Sequence, residues 1–136
     1  MSTSSKIIQG CISVSKIVSV NNYLIRTRGS KSTLTPEARR AKEEYLMKLS
    51  EFHDKIPKEW KYISLTLGFY FNRYFDSRDL SNCVKIFEDC LSAHFEKDDS
   101  VNVNILLFKR RIKQPGKPER IFFRIEEFPG ASVEAD

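Results

Sequence analysis

Residues 61–72, KYISLTLGFYFN, alternate along their whole length. Ile63, Leu65, Leu67, Phe69 and Phe71 fall on one side, and Tyr62, Ser64, Thr66, Gly68 and Tyr70 on the other. Successive side chains of an extended strand point to opposite faces, so a period of two gathers the first set on a single face. A helix would scatter them around its circumference. This run requires a sheet, and the rest of the chain must supply its partners and its cover.

The other segments read in order around that strand. Residues 7–20 alternate loosely, with Ile12, Val14 and Val18 on one side, and read as an opening strand. Residues 20–35 are polar and basic with a turn glycine, Gly29, and read as a loop. Thr35-Pro36-Glu37 is a helix start: threonine caps, proline fits the first helical position, and glutamate suits the positive end of the dipole. Ala38, Ala41, Tyr45, Leu46, Leu49 and Phe52 continue at helical spacing, and the helix stops before Pro57. Residues 101–112 and 120–127 read as strands joined across KQPGKPE as an antiparallel hairpin. The tail after Pro129 is expected to be disordered. The chain of 136 residues, 40% hydrophobic, suits one domain over residues 1–136 with a real core. The fold class is α/β in the α+β sense, with two main helices packed on a mixed sheet.

Net charge is +5, which tolerates a nucleic acid or another anionic surface as partner. No run of about 18 apolar residues exists, so no membrane span is expected, and MSTSSK lacks the apolar core of a secretion signal. Cys11, Cys83 and Cys90 have no disulfide-framework spacing and read as reduced and mostly buried in a cytosolic setting. Cys90 and His94 could share a zinc ion, but a role in the core suits them better.

Residues 78–99, RDLSNCVKIFEDCLSAHFEKDD, carry the candidate chemistry. Asp79, Asn82, Lys85 and Asp89 stand three, three and four residues apart, which places them on one side of a helix. Cys83, Val84, Phe87, Cys90 and Leu91 fall on another side, and Asp98 and Asp99 follow. An amphipathic helix needs only the apolar stripe. Carboxylates, an amide and a lysine beside a further acid pair suit a hard metal ion, Mg²⁺, and a phosphate. Lys85 could balance charge developing on that phosphate. Taken singly, Asp79 also suits a helix N-cap, Lys85 and Glu88 a solvated face, and Asp98-Asp99 a turn.

The order D-L-S-N-x-x-K-x-x-x-D-x-L, followed by D-D-S-x-V, resembles the RusA family of Holliday junction resolvases. SVNNY at residues 19–23 resembles a Ser/Asn/Tyr segment near the start of those proteins, and LTPEARRAKEEY at residues 34–45 falls where their first helix begins. The resemblance runs from about residue 19 to residue 103. It implies a dimeric, Mg²⁺-dependent endonuclease that cuts four-way DNA junctions, in the cytoplasm, or the host cytoplasm if the chain is viral. Asp79 would be a metal-binding carboxylate, Asp99, with Asp98, a second one, and Lys85 the lysine near the scissile phosphate. Asn82 and Asp89 would support the site. Ser81 departs from the pattern D-x-D-N, because it stands where a second aspartate is common. A hydroxyl is an uncharged and weaker ligand, and Asp76 is the nearest carboxylate that could replace it. A catalytically weak or silent branched-DNA-binding protein of the same fold is therefore the rival expectation. A third is a basic interaction protein whose acids are caps and turns.

Basic residues supply the DNA side. Arg26, Arg28 and Lys31 lie in the early loop, and Arg39 and Arg40 on the first helix. Alternation sends Lys109, Arg111 and Lys113 to one face of the residue 101–112 strand, where they are expected to form a ridge along a DNA groove. Tyr74 and Phe75 could stack on bases opened at a junction, but core packing suits them better.

Overall fold

The computed structural model describes residues 6–19, 24–26 and 32–128. It is a mixed α+β domain: a four-stranded mixed sheet with two helices. The elements are β1 (Ile7–Val14), β2 (Leu24–Arg26), β3 (Ser32–Leu34), α1 (Pro36–Leu49), β4 (Ile63–Phe71), α2 (Ser81–His94), β5 (Asn102–Arg111) and β6 (Glu119–Glu127). The main sheet has the order β1-β6-β4-β5. β6 runs antiparallel to both β1 and β4, and β5 runs parallel to β4.

β4 behaves as its alternation demands. Ile63, Leu65, Leu67, Phe69 and Phe71 are each no more than 1% exposed. In register beside them lie Ile121, Phe123 and Ile125 of β6, and beyond those Ile8 and Ile12 of β1. The helices cover this face. Phe123 meets Phe52, Phe87 and Phe95 at ring separations of 5.2, 6.2 and 5.9 Å, and Phe87 meets Tyr45 of α1 edge-on at 5.8 Å. α1 starts as expected, with the Thr35 side chain accepting from Ala38 N–H at 3.1 Å and Pro36 in the first turn. The opposite face of the sheet carries Tyr70, Phe108 and Phe122. Gly68 makes room there, since a Cβ would sit 2.2 Å from Phe108 Cζ.

Three expectations are corrected. The 101–112 and 120–127 strands are not a hairpin, because β4 lies between them. A strand, a covering helix and a parallel strand form a crossover unit, so α2 carries the chain from β4 to β5. The connection after β5 then passes the end of β4, where Ile112 N–H donates to Phe71 O (2.8 Å) and Asn72 Nδ2 donates to Lys117 O (3.1 Å), and β6 returns on β4's other side.

The opening strand ends at Val14, short of residue 20. Its partner β6 begins at Glu119, which pairs with Val14, so no ladder exists beyond that point. The next amides turn to side chains: Ser15 N–H to Glu44 Oε2 (3.0 Å), Ile17 N–H to Glu119 Oε1 (2.9 Å) and Val18 N–H to Tyr45 Oη (3.3 Å). Ile17 and Val18 are nonetheless buried, which is why the apolar pattern runs on past the strand. The third correction concerns the early loop, which contains β2 and β3, paired antiparallel from Leu24↔Leu34 to Arg26↔Ser32.

Cys83 and Cys90 are buried, Cys11 is exposed, and all three are free. Burial pushes the Cys90 thiol up to about 12, and its Sγ donates to Lys42 O, while His94 Nε2 pairs with Phe52 O at 2.8 Å. The core role holds for Cys90. Among the described residues no helix is long and apolar enough to cross a membrane.

Candidate active site

The polar side of α2 is built at its two ends. Asp79 lies just ahead of the helix rather than on it. Its Oδ1 accepts from Ser81 N–H (3.1 Å) and from the Ser81 hydroxyl (2.9 Å), so the carboxylate satisfies one of the helix's first amides at the positive end of the dipole. Oδ2 makes no hydrogen bond among the described residues. Asp79 and Asn82 line a cleft of about 200 Å³ whose other wall is the segment after β1, Lys16 to Ser19. The walls are tied together, because the Arg78 guanidinium donates to Ile17 O and stacks 4.6 Å from the Phe71 ring.

At the far end, α2 closes with Glu96 in the left-handed region (φ 54°) and Lys97 N–H donating to Ser92 O at 3.0 Å. This closure turns the chain back along the helix and sets Asp99 beside it. The Ser92 hydroxyl donates to Asp99 Oδ1, and Asp99 Oδ2 lies 3.9 Å from Lys85 Nζ. Lys85 also pairs with Asp89 at 3.0 Å. The hydrogen bond to Asp89, with the charges of Asp89, Asp99 and Glu88, raises the Lys85 ammonium above its ordinary pKa, so it stays cationic. Lys97 is shifted the other way by burial. Its Nζ donates to Asn102 Oδ1 (2.9 Å) and Ser92 Oγ (3.4 Å), and Asn102 Nδ2 donates to Glu88 at 2.7 Å.

The structure thus brings Ser19, Asp79 and Asn82 to one cleft, and Lys85, Asp89 and Asp99 to one cluster further along the helix. Of the resembling segment 19–23, Ser19 is described. Asp98 departs: its Oδ1 accepts from Ser100 N–H at 3.1 Å and caps its own turn. Asp76 departs as well, pairing with Arg111 at 3.2 Å instead of joining Asp79. Lys109 is not on an open ridge. Its ammonium donates to Phe75 O (2.9 Å) and Arg78 O (2.8 Å) and props the turn beneath the cleft. Arg111 lies over the Phe75 ring at 4.8 Å and stays exposed, as does Lys113. Arg26 belongs to β2, while Arg28, Lys31 and the tail 130–136 lie outside the described residues. Glu88, Ser92, Lys97 and Asn102, none of them among the residues the motif singles out, join the cluster. A signal exists for two of them, because Glu88 and Ser92 follow Lys85 by three and seven residues, which is one helix face.

Among the described residues no group of three or more His, Cys, Asp or Glu side chains gathers closely enough to hold a metal ion. The donor chemistry still suits Mg²⁺, which binds through one or two carboxylates together with phosphate oxygens and water. Asp79 in the cleft and Asp99 in the cluster further along α2 are the two carboxylates that could each hold it, together with phosphate oxygens and water.

Ser81 offers a direct check. Its hydroxyl is a donor to Asp79, and Ser81→Asp replaces that donor with a second negative charge. Without Mg²⁺ the variant should melt several degrees below wild type, and added Mg²⁺ should abolish the difference, because a cation then separates the carboxylates. Equal melting temperatures for the variant in EDTA and in Mg²⁺ would show that residues 79 and 81 cannot share a metal.

No protein-family model matches this chain, and no curated protein matches it.

Proposed function

We propose that this chain is a Mg²⁺-dependent, structure-selective DNA endonuclease of RusA type that resolves four-way junctions by phosphodiester hydrolysis. The observation that carries the reading is the convergence of the resembling residues. Ser19 lies far in sequence from Asp79 and Asn82 yet lines one cleft with them, and Asp99, beyond the end of α2, returns to meet Lys85 of that helix. When bound, Mg²⁺ supplies polarisation of the phosphoryl group and activation of water. Asp79 in the cleft and Asp99 beside Lys85 are the carboxylates that would hold it. Lys85, kept cationic by its acidic neighbours, balances charge on the phosphate. The hydrogen bonds of Ser81 and Ser92 orient the two carboxylates.

A labelled four-way junction tests the reading. Paired cuts in Mg²⁺ and none in EDTA are expected. Tight junction binding without cleavage would favour the silent branched-DNA-binding protein, a reading that the Ser81–Asp79 hydrogen bond supports. Neither binding nor cleavage would overturn both.

Symmetrical resolution calls for two sites related by a two-fold axis, so the proposal includes a homodimer. β5 is an edge strand with Val103, Ile105 and Leu106 exposed by 40, 39 and 60%. Paired antiparallel with a second copy about Leu106, its basic end meets a neutral one, with Arg110 opposite Asn102 and Lys109 opposite Val103. Exposed apolar edges invite such pairing. Leu106→Asp should convert a dimer into a monomer by light scattering with little change in melting temperature. A wild-type monomer, or a dimer that survives the substitution, removes this edge from the assembly.

A further inference from the structure

Tyr74 is the most exposed large hydrophobic side chain among the described residues, at 68%. Its backbone lies in the left-handed region, φ 57° and ψ 31°, which is uncommon for a bulky residue with a Cβ. Nothing in its own packing accounts for this, since its ring and hydroxyl make no hydrogen bond, ion pair or ring contact among the described residues. The conformation is imposed by what surrounds it. Tyr74 O accepts from Ser77 N–H (3.2 Å) and the Ser77 hydroxyl (3.1 Å). The next residue, Phe75, is held by Lys109, which donates to its carbonyl and lies 4.6 Å over its ring, and by Arg111 at 4.8 Å. A turn pinned from below therefore presents an unsupported aromatic ring above. That ring borders the cleft that holds Asp79 and Asn82, and on its other side a hollow with Arg73 and Arg111. Strained backbone and exposed rings cluster where function needs them.

We infer that Tyr74 is a stacking residue that receives an unpaired DNA base beside the phosphate engaged by the Asp79 cleft. The inference rests on the DNA-nuclease reading. Bases in an intact duplex are stacked on their neighbours, whereas those at a branch point can be exposed. A ring that stacks on any base gives a preference for open structure with little sequence reading. Tyr74 thus contributes to selection of branched over duplex DNA, with Arg73 and Arg111 placed to hold the adjoining backbone.

The test needs no cleavage. Junctions carrying 2-aminopurine at the branch point are titrated in EDTA with wild type, Tyr74→Ala, Tyr74→Phe and Tyr74→Gly. Wild type and Tyr74→Phe should quench the fluorophore. Tyr74→Ala and Tyr74→Gly should lose the quench and bind the junction about tenfold more weakly, with duplex binding unchanged. Tyr74→Gly should also melt above wild type, since glycine accepts a positive φ without strain. Wild-type quenching and junction preference in Tyr74→Ala would overturn the inference while the DNA reading stands. Failure of the wild-type protein to bind any branched DNA would overturn both.

Discussion

Asp79→Asn and Asp99→Asn should each reduce Mg²⁺-dependent junction cleavage by a factor of about 10² or more, while junction binding in EDTA is retained. Removing one preorganised group that stabilises charge at a reacting centre commonly costs about 10²–10³ in rate, and a carboxylate that holds the metal facing the phosphate acts at that level. Both changes are isosteric and leave the local structure a partner. The amide oxygen introduced at position 79 could still accept from Ser81, and the one introduced at position 99 from Ser92. What is lost is charge. Asp99→Asn also removes a half-exposed pairing with Lys85, and such surface pairs contribute about 0–1 kcal/mol, so the melting temperature should move little. Cleavage by either variant at the wild-type rate would remove that residue from the metal site. Equal loss of binding and cleavage would make it a DNA contact instead.

The second large effect concerns stability. Glu119 is 2% exposed, and its carboxylate accepts from Ile17 N–H at 2.9 Å and from Asn72 N–H at 3.0 Å. It joins the start of β6 to the chain leaving β1 and the chain leaving β4. Glu119→Ala leaves both amides without an acceptor in a setting with little water. An unsatisfied buried donor costs about 1–3 kcal/mol, so the substitution should lower unfolding free energy by about 2–4 kcal/mol. In a domain of this size that corresponds to a fall of about 10 °C in melting temperature by calorimetry. Glu119→Gln should fall between, because its amide oxygen can accept only on one side while its –NH₂ meets a second donor. A Glu119→Ala protein that melts within about 2 °C of wild type would show that water replaces the carboxylate. The same variant should also loosen the cleft, since Ile17 lies in one of its walls and Asn72 leads into the turn with Tyr74 that borders it.

Local patterns settled a large part of this fold. The alternation of residues 61–72 left β4 no arrangement except one buried face, and Thr35-Pro36 placed the start of α1 to the residue, although the helix ends at Leu49 instead of running on through Phe52 toward Pro57. On α2, helical spacing brought Asn82, Lys85 and Asp89 to one side and the apolar residues to the other. These follow from the period of a strand or helix and from caps within a few residues, which are properties of short segments.

Strand order was a different matter. β5 and β6 are adjacent in sequence and joined by a turn-rich connection, so each suits a hairpin locally. Whether β4 inserts between them depends on both edges of β4 being buried and on α2 crossing over the sheet, and neither is a property of the connecting residues. The ridge expected at Lys109 failed for the same reason. Alternation placed the side chain on the correct face, but the turn that takes up its ammonium at Phe75 and Arg78 comes from another segment. The position of Asp99 likewise required the left-handed residue Glu96 after α2, which no periodicity marks.

Glu119 states the division most plainly. In sequence it is an ordinary acid after a proline at the edge of a polar turn. Its burial follows only when β1 ends opposite it and β4 ends beside it, leaving two backbone donors with no strand to bond. Segment periods, caps and the α+β class were determined by the sequence alone, because they depend on neighbours within a turn or two. Strand order, the two-ended site along α2 and the burial of Glu119 were decided by tertiary structure, because each depends on where distant backbone donors and acceptors run out of partners.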